Sequence, residues 1–406
     1  MDAKSLGKII YTLRKKNGLT QIKLAELLSV SDKAISKWES GAGFPDITLL
    51  PKLAEVFGTS VDYLLFNDRR GITIAGNFIV DNLCTIDGYP ERGRLCNVIA
   101  TDKAVGGCAP NTSIDLATID KNVPVSVIGR VGDDEDGRFI VSSLSVKGID
   151  TSAIKITNEA KTANCSVMND GKERTFFSYS GANALFSPDD VNLNLLTCTI
   201  LHIGYINLLE KFDAPDENYG TVMARFLKSV RDCGVKTSID TVSSEDKSVY
   251  AKNIIPVLKY VDYFIVNEIE CCATFGKNPY RADGSLDVDA IKYCMDQAIK
   301  CGVNEKVIVH CKECGFCLDK SGNFTTVGSL IIPQELIKSN VGAGDAFCAG
   351  CLYSIYNGES DEDMLKFASA SAACNLFSIG SVGGAQSKKE ILKLEEKFTR
   401  RTIRME

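Results

Sequence analysis

The stretch IKSNVGAGDAFCAG (337 to 350) has the residue types that transfer of a phosphoryl group requires. Gly342, Ala343 and Gly344 form a turn whose backbone amides can face outward. The spacing of Phe347, Leu352, Ile355 and Tyr356 predicts a helix from residue 344 or 345. Free amides in a first helical turn, with the positive end of the helix dipole, favour an anion. Asp345 at the same turn can accept the proton of a hydroxyl as its oxygen attacks phosphorus. The pattern is equally that of an ordinary strand-to-helix connection with an acidic first turn, so its meaning depends on the rest of the chain.

The elements that must position this turn begin at residues 71 to 80 and read as strands at 123–129, 199–204, 235–240, 262–267 and 306–311. Helical periodicity falls between most of them, at about 134–147, 217–233 and 286–301. Such alternation predicts an α/β fold with a parallel sheet flanked by helices. Residues 83–104 and 162–180 interrupt it. Turns at Asp87-Gly88 and Asn169-Asp170-Gly171 predict a small separate sheet there, able to lie over a pocket as a lid.

Within that frame several short motifs recur in a familiar order: Asp81 after the first strand, Gly106-Gly107 followed by Asn111, Gly181-Ala182-Asn183, Asn267 with Glu270, and Gly342 to Asp345. With these motifs the chain from about Ile72 to Phe398 resembles the PfkB/ribokinase-type carbohydrate kinases. The resemblance implies a ribokinase-like fold, ATP and Mg²⁺ as cofactors, and a ribose- or fructose-like sugar as acceptor. It assigns Asp81, Gly106, Gly107, Asn111 and Asn183 to the sugar. Asn267, Lys312, Gly315 and Gly344 fall to the nucleotide, Glu270 to the metal, and Asp345 with the 342–344 turn to catalysis. No GxxxxGK[ST] occurs, so a P-loop is excluded.

The chain departs from the family where Asp-Thr usually precedes the turn, having Ser339 and Asn340 instead, and where Lys312 occupies an expected glycine position. Cys108 stands where ribokinases often have lysine. These departures motivate a second reading, a sugar-sensing transcription factor with impaired catalysis.

Residues 1 to 66 follow another logic. Leu6, Ile9, Ile10 and Leu13 mark one helix; Thr20 opens a second with Leu24, Leu27 and Leu28; Ser31 opens a third with Ala34, Ile35 and Trp38. A fourth helix is expected at about 46–57, and 61–66 closes the bundle. Two short helices joined by about four residues make a helix-turn-helix, and LTQIKLAELLSVSDKAISKWESG resembles the Cro/repressor (XRE-type) family. The resemblance implies double-stranded DNA as partner, with Gln21, Ser31, Asp32, Lys33, Ser36 and Lys37 as contacts and Ile35 and Trp38 inward. Since each copy reads one half-site, a homodimer is expected. Residues 67–70 form a short tether to the kinase-like region, 71–406.

Composition sets the remaining bounds. The formal charge is −6 overall, yet residues 1–70 carry 11 Lys+Arg against 8 Asp+Glu, or +3. Sixteen scattered cysteines in a chain of 406 residues point to reduced thiols. Cys311, Cys314 and Cys317, beside His310, have a metal-like spacing, but they lie where a strand turns back on itself, and free thiols are the expectation. The absence of a long apolar run and of an apolar leader predicts a cytoplasmic protein with no membrane span. With only His202 and His310 and no GxSxG, serine-hydrolase chemistry has no support; His202 reads as a hydrogen-bonded strand residue near the pocket. Residues 388–404 read as a charged, solvated helix.

Overall fold

The computed structural model describes residues 2–66, 69–378 and 380–403. Asn67 and Asp68 of the expected tether, and Arg404 of the expected terminal helix, lie outside the described residues. The chain forms two compact units: residues 1–71 with 192–199 and 232–235, and the remainder.

In the first unit the helices are Ala3–Lys16, Gln21–Leu28, Asp32–Glu39, Leu50–Phe57 and Val61–Phe66, with a single 3₁₀ turn at Ile47–Leu49. Each helix of the helix-turn-helix is capped as its sequence suggests. Thr20 Oγ1 accepts from the Lys23 amide (3.0 Å) and Ser31 Oγ from the Ala34 amide (3.2 Å). Between them Ser29 takes a left-handed conformation, φ 59, which turns the chain sharply enough to set the two helices against each other. Leu6, Ile10, Leu24, Leu28, Ile35, Leu53 and Phe57 are buried together with Trp38. The two segments from later in the chain join this unit through Arg69, whose guanidinium donates to the carbonyls of Leu196 and Cys233.

The second unit is built on a nine-stranded sheet. Its order from edge to edge is Phe324–Gly328, Cys314–Asp319, Lys306–His310, Tyr263–Asn267, Lys236–Thr241, Ile200–Ile206, Ile72–Ala75, Val125–Gly132 and Asp150–Thr157. The sheet is mixed rather than wholly parallel: Cys314–Asp319 and Phe324–Gly328 run antiparallel at one edge. The reason is local. The turn after His310 is only three residues long, too short for a crossover helix, so the next strand must return beside its predecessor. Central strands are buried along nearly their whole length because helices cover both faces; Ile72, Ile74, Val127, Ile203, Ile265 and Ile308 are all buried.

The expected lid is a four-stranded sheet, Val98–Gly106, Ile79–Ile86, Asn164–Asn169 and Arg174–Tyr179 in spatial order. The terminal segment corrects the expectation of one solvated helix. It forms two short helices, Lys388–Leu392 and Leu394–Lys397, that bury Ile391 and Leu394, and the chain then extends so that Arg400 donates to the Gly328 carbonyl at 2.7 Å. Alternating Lys and Glu had hidden those two apolar positions.

Candidate active site

The GAGD turn opens the helix Ala343–Tyr356, with Gly342 as its cap at φ 79. A side chain at 342 would meet the Ser381 carbonyl at 2.2 Å and Asn375 Nδ2 at 2.7 Å, so position 342 admits only glycine. Position 344 differs: the nearest atoms to a Cβ there belong to His310, at 3.7 Å. The Ala343 amide closes the turn onto the Asn340 carbonyl at 3.3 Å, which removes it from the set of amides expected to face an anion. Among the described residues, no backbone or side-chain acceptor takes the Gly342 or Gly344 amide.

Asp345 is buried at the start of this helix. Asn111 Nδ2 donates to its Oδ2 at 2.8 Å and the Tyr205 hydroxyl donates to the same oxygen at 3.3 Å. Both bonds fall on Oδ2, which leaves Oδ1 for an incoming hydroxyl. Asn111 is itself fixed, because Ser381 Oγ donates to its Oδ1 at 3.0 Å. Burial, and then the nearby Asp240 charge, push the Asp345 carboxyl up to about 7, against the lowering effect of the Asn111 and Tyr205 bonds.

Two cavities meet at this carboxylate. One, of about 360 Å³, is lined under the lid by Asp81, Gly107, Asn111, Arg174, Phe176 and Ser381 among others. The second, of about 230 Å³, is lined by Asp240, Thr241, Ser243, Asn267, Glu270, His310 and Gly344. Tyr205, Gly342 and Asp345 belong to the walls of both. A group bound on the lid side and a group bound on the other side would therefore face each other across Asp345.

On the lid side, Asp81 is held up to about 6 by burial. Gly106 is what makes room for it: a Cβ at 106 would lie 2.3 Å from Asp81 Oδ2. Gly107, at φ 90, passes so close to the Asn77 carbonyl that a Cβ would come within 2.4 Å. Asn183 is placed differently from the sugar contact that the motif implied. Its Oδ1 accepts from the Phe78 amide and its Nδ2 donates to the Phe78 carbonyl, both at 3.1 Å. It braces the segment leading to Asp81 and does not line the cavity.

On the other side Asn267 and Glu270 form a reciprocal helix cap: Asn267 Oδ1 accepts from the Glu270 amide at 2.8 Å, and Glu270 accepts from the Asn267 amide at 3.4 Å. Glu270 also accepts from Ser243 Oγ at 2.9 Å, yet burial raises its carboxyl to about 7. Lys312 is exposed and Gly315 is buried in a strand against Leu365 and Phe347; neither lines either cavity. Ser339 Oγ accepts from the Val341 amide at 3.1 Å and, more distantly, from Arg174 at 3.4 Å. The serine thus braces the turn where the family usually has aspartate.

Among the lining residues that escaped the sequence, four bear on the chemistry. Tyr205 follows a quoted strand with no motif of its own, and its φ of 58 marks a strained position of the kind found at functional sites. Asp240 carried a readable signal, a carboxylate near the C-terminal end of a parallel strand. Arg174 and Ser381 carried none, since the lid strands and the segment 380–385 bring them in from afar.

Residues 76–388 match the description pfkB family carbohydrate kinase, and residues 10–64 match a helix-turn-helix. This chain belongs to the pfkB carbohydrate kinase family. Among its relatives, an Arabidopsis thaliana ribokinase is 24% identical over 332 residues, covering 80% of this chain and 80% of the relative. A fructokinase from Zea mays is 25% identical, covering 81% and 98%. The structure of Arabidopsis ribokinase complexed with ribose and ATP superposes with a TM-score of 0.67 at 21% identity, covering 80% of this chain and 98% of that one. A putative ribokinase from E. coli in complex with ATP and Mg²⁺ gives 0.65 at 18% identity, with coverage of 81% and 99%. The kinase is a sugar kinase of ribokinase-like fold, joined to a helix-turn-helix module.

In that module the expected DNA contacts Ser31, Asp32, Lys33, Ser36 and Lys37 are exposed on one helix, with Ile35 and Trp38 buried beneath. Ser31 Oγ is already spent on its cap. Gln21 is tied inward, donating to Glu39 at 2.7 Å beside the Arg14–Glu39 ion pair. No helix among the described residues is long and apolar enough to cross a membrane.

Proposed function

We propose that this protein transfers the γ-phosphoryl group of ATP to a hydroxyl of a small ribose- or fructose-like sugar, and that its first 66 residues bind double-stranded DNA as part of a homodimer. The observation that carries the kinase reading is the position of Asp345 in the common wall of two cavities. The sugar is held in the larger cavity, where Asp81 accepts from its hydroxyls. Asn111 and Tyr205 hold Oδ2 of Asp345, and Oδ1 takes the proton of the attacking hydroxyl. The Gly342 and Gly344 amides, at the positive end of the Ala343–Tyr356 helix, hold the oxygens of the phosphoryl group as negative charge builds on them.

The smaller cavity fits the triphosphate and its ion. Glu270 is a buried carboxylate in its wall to which no cationic side chain among the described residues is bonded, and with Asn267 it would hold Mg²⁺, which when bound neutralises phosphate charge. Asp345 near 7 is suited to proton acceptance at neutral pH. Neither Ser339 nor Lys312 lines either cavity, so those two departures do not count against catalysis. The presence of a helix-turn-helix and a sugar kinase in one chain supports a regulator whose DNA binding answers to the sugar. ADP release with a panel of pentoses and hexoses in the presence of Mg-ATP tests the reading. One or a few furanose-forming sugars should support turnover; a panel without turnover, together with no thermal shift by Mg-ATP, would overturn it.

A further inference from the structure

Cys348 lies one helical turn after Asp345 and faces the strands Ile200–Ile206 and Lys236–Thr241, where His202 and Asp240 reside. All three residues are buried, and their donor atoms lie within 4.8 Å of one another. His202 Nε2 stands 3.4 Å from Asp240 Oδ2 and 3.6 Å from Cys348 Sγ. The first distance is long for a direct hydrogen bond, for which about 2.7–3.2 Å is usual. The Nε2–Oδ2 span matches an edge of a tetrahedron around zinc, about 3.4 Å for bonds of about 2.1 Å; Cys348 Sγ also lies 3.9 Å from Nδ1, beside the ring, and would turn toward the Nε2 side to join an ion there.

The outer contacts are those a metal site needs. Ser238 Oγ lies 2.9 Å from His202 Nδ1 and fixes the ring with Nε2 toward Asp240. The Tyr205 amide donates to Asp240 Oδ1, which leaves Oδ2 for an ion. A hydrogen-bonded core histidine would account for Ser238 but not for a buried carboxylate and a buried thiol that both stand within 3.6 Å of its other nitrogen. Asp240 and Cys348 line the smaller cavity, so the cluster has a way in and a fourth position open to it.

We propose that His202, Asp240 and Cys348 form a binding site for a borderline-soft divalent ion of the zinc class, separate from the magnesium position at Glu270. The thiolate excludes Mg²⁺, which prefers oxygen donors. Binding forms the S–metal bond as the Cys348 proton passes to solvent, and water from the cavity completes the tetrahedron.

Co²⁺ is the probe, titrated into the reduced full-length protein and followed by its thiolate charge-transfer absorption. One equivalent should bind with tetrahedral d–d bands that disappear in Cys348→Ala and His202→Ala. The double variant Cys311→Ser/Cys314→Ser, which removes a close thiol pair elsewhere, should keep them. Ser238→Ala should weaken binding about 10-fold or more through loss of the ring's orientation, and Zn²⁺ should displace the cobalt. Bands that survive in Cys348→Ala, or the absence of saturable binding near one equivalent, would overturn the site. Should Cys348→Ala fail to fold, Ser238→Ala with unchanged affinity would overturn it equally. The titration requires no turnover, so its outcome leaves the kinase reading to be judged on its own measurements.

Discussion

At the scale of single residues, the site rests on groups whose chemistry is set by burial. Asp345 near 7 must be ionised to accept a proton, so kcat/KM should rise with pH through about 7 and level off above it. A pH–rate profile flat from 5 to 8 would contradict that assignment. The same burial makes Asp345 costly to the fold. A carboxyl raised from 3.8 favours the folded state at low pH, and that contribution is lost as pH rises through about 7. At pH 8 Asp345→Asn should therefore raise Tm by a few degrees, measurable by calorimetry. Gly344→Ala separates fold from function. With the nearest atom to its Cβ at 3.7 Å it should keep Tm, while the methyl group crowds the amide that faces the phosphoryl group and lowers kcat by about 100-fold or more. Of these residues, Asp345, Gly342 and Gly344 were legible because turn, charge and helix start are contiguous. Tyr205, Arg174 and Ser381 were not, because each acts through a partner more than a hundred residues away in the chain.

At the scale of elements, strand positions were legible to within a few residues where apolar runs sit between turn residues, as at Lys236–Thr241 and Lys306–His310. The two antiparallel edge strands were missed because cysteine, glycine and threonine there give little alternation, and the helix Cys108–Ile119 because it is buried on nearly every side and mixes polar with apolar residues without a clear period. The lid was legible from its turns, but the use of its motifs was not. Asn183 resembles a sugar contact and instead ties two segments of backbone together. Asn183→Ala would leave the Phe78 amide and carbonyl buried without partners, at a cost of about 1–3 kcal/mol for each. Thermal unfolding should show a clear loss of Tm, with KM for the sugar raised more than KM for ATP, since Phe78 leads to Asp81. A rise confined to the ATP constant would contradict this placement.

At the scale of the whole molecule, one chain carries a sugar kinase and a helix-turn-helix, and the two were separable in the sequence because their periodicities and charges differ. The proposed DNA-reading face carries Lys33 and Lys37 against Asp32, so affinity should depend on few phosphate contacts. Lys33→Ala and Lys37→Ala should each weaken DNA binding and reduce its salt slope by about 1, without altering sugar turnover; unchanged salt dependence would point to a protein partner instead. The central claim is that Asp345 takes the proton of a sugar hydroxyl as the phosphoryl group arrives. The most direct measurement compares ADP formation by the native protein and by Asp345→Asn with the best sugar of the panel, alongside calorimetric binding of that sugar. A fall in kcat of about 1000-fold or more, with sugar affinity little changed, is the predicted result. Turnover within a fewfold of the native rate would contradict it.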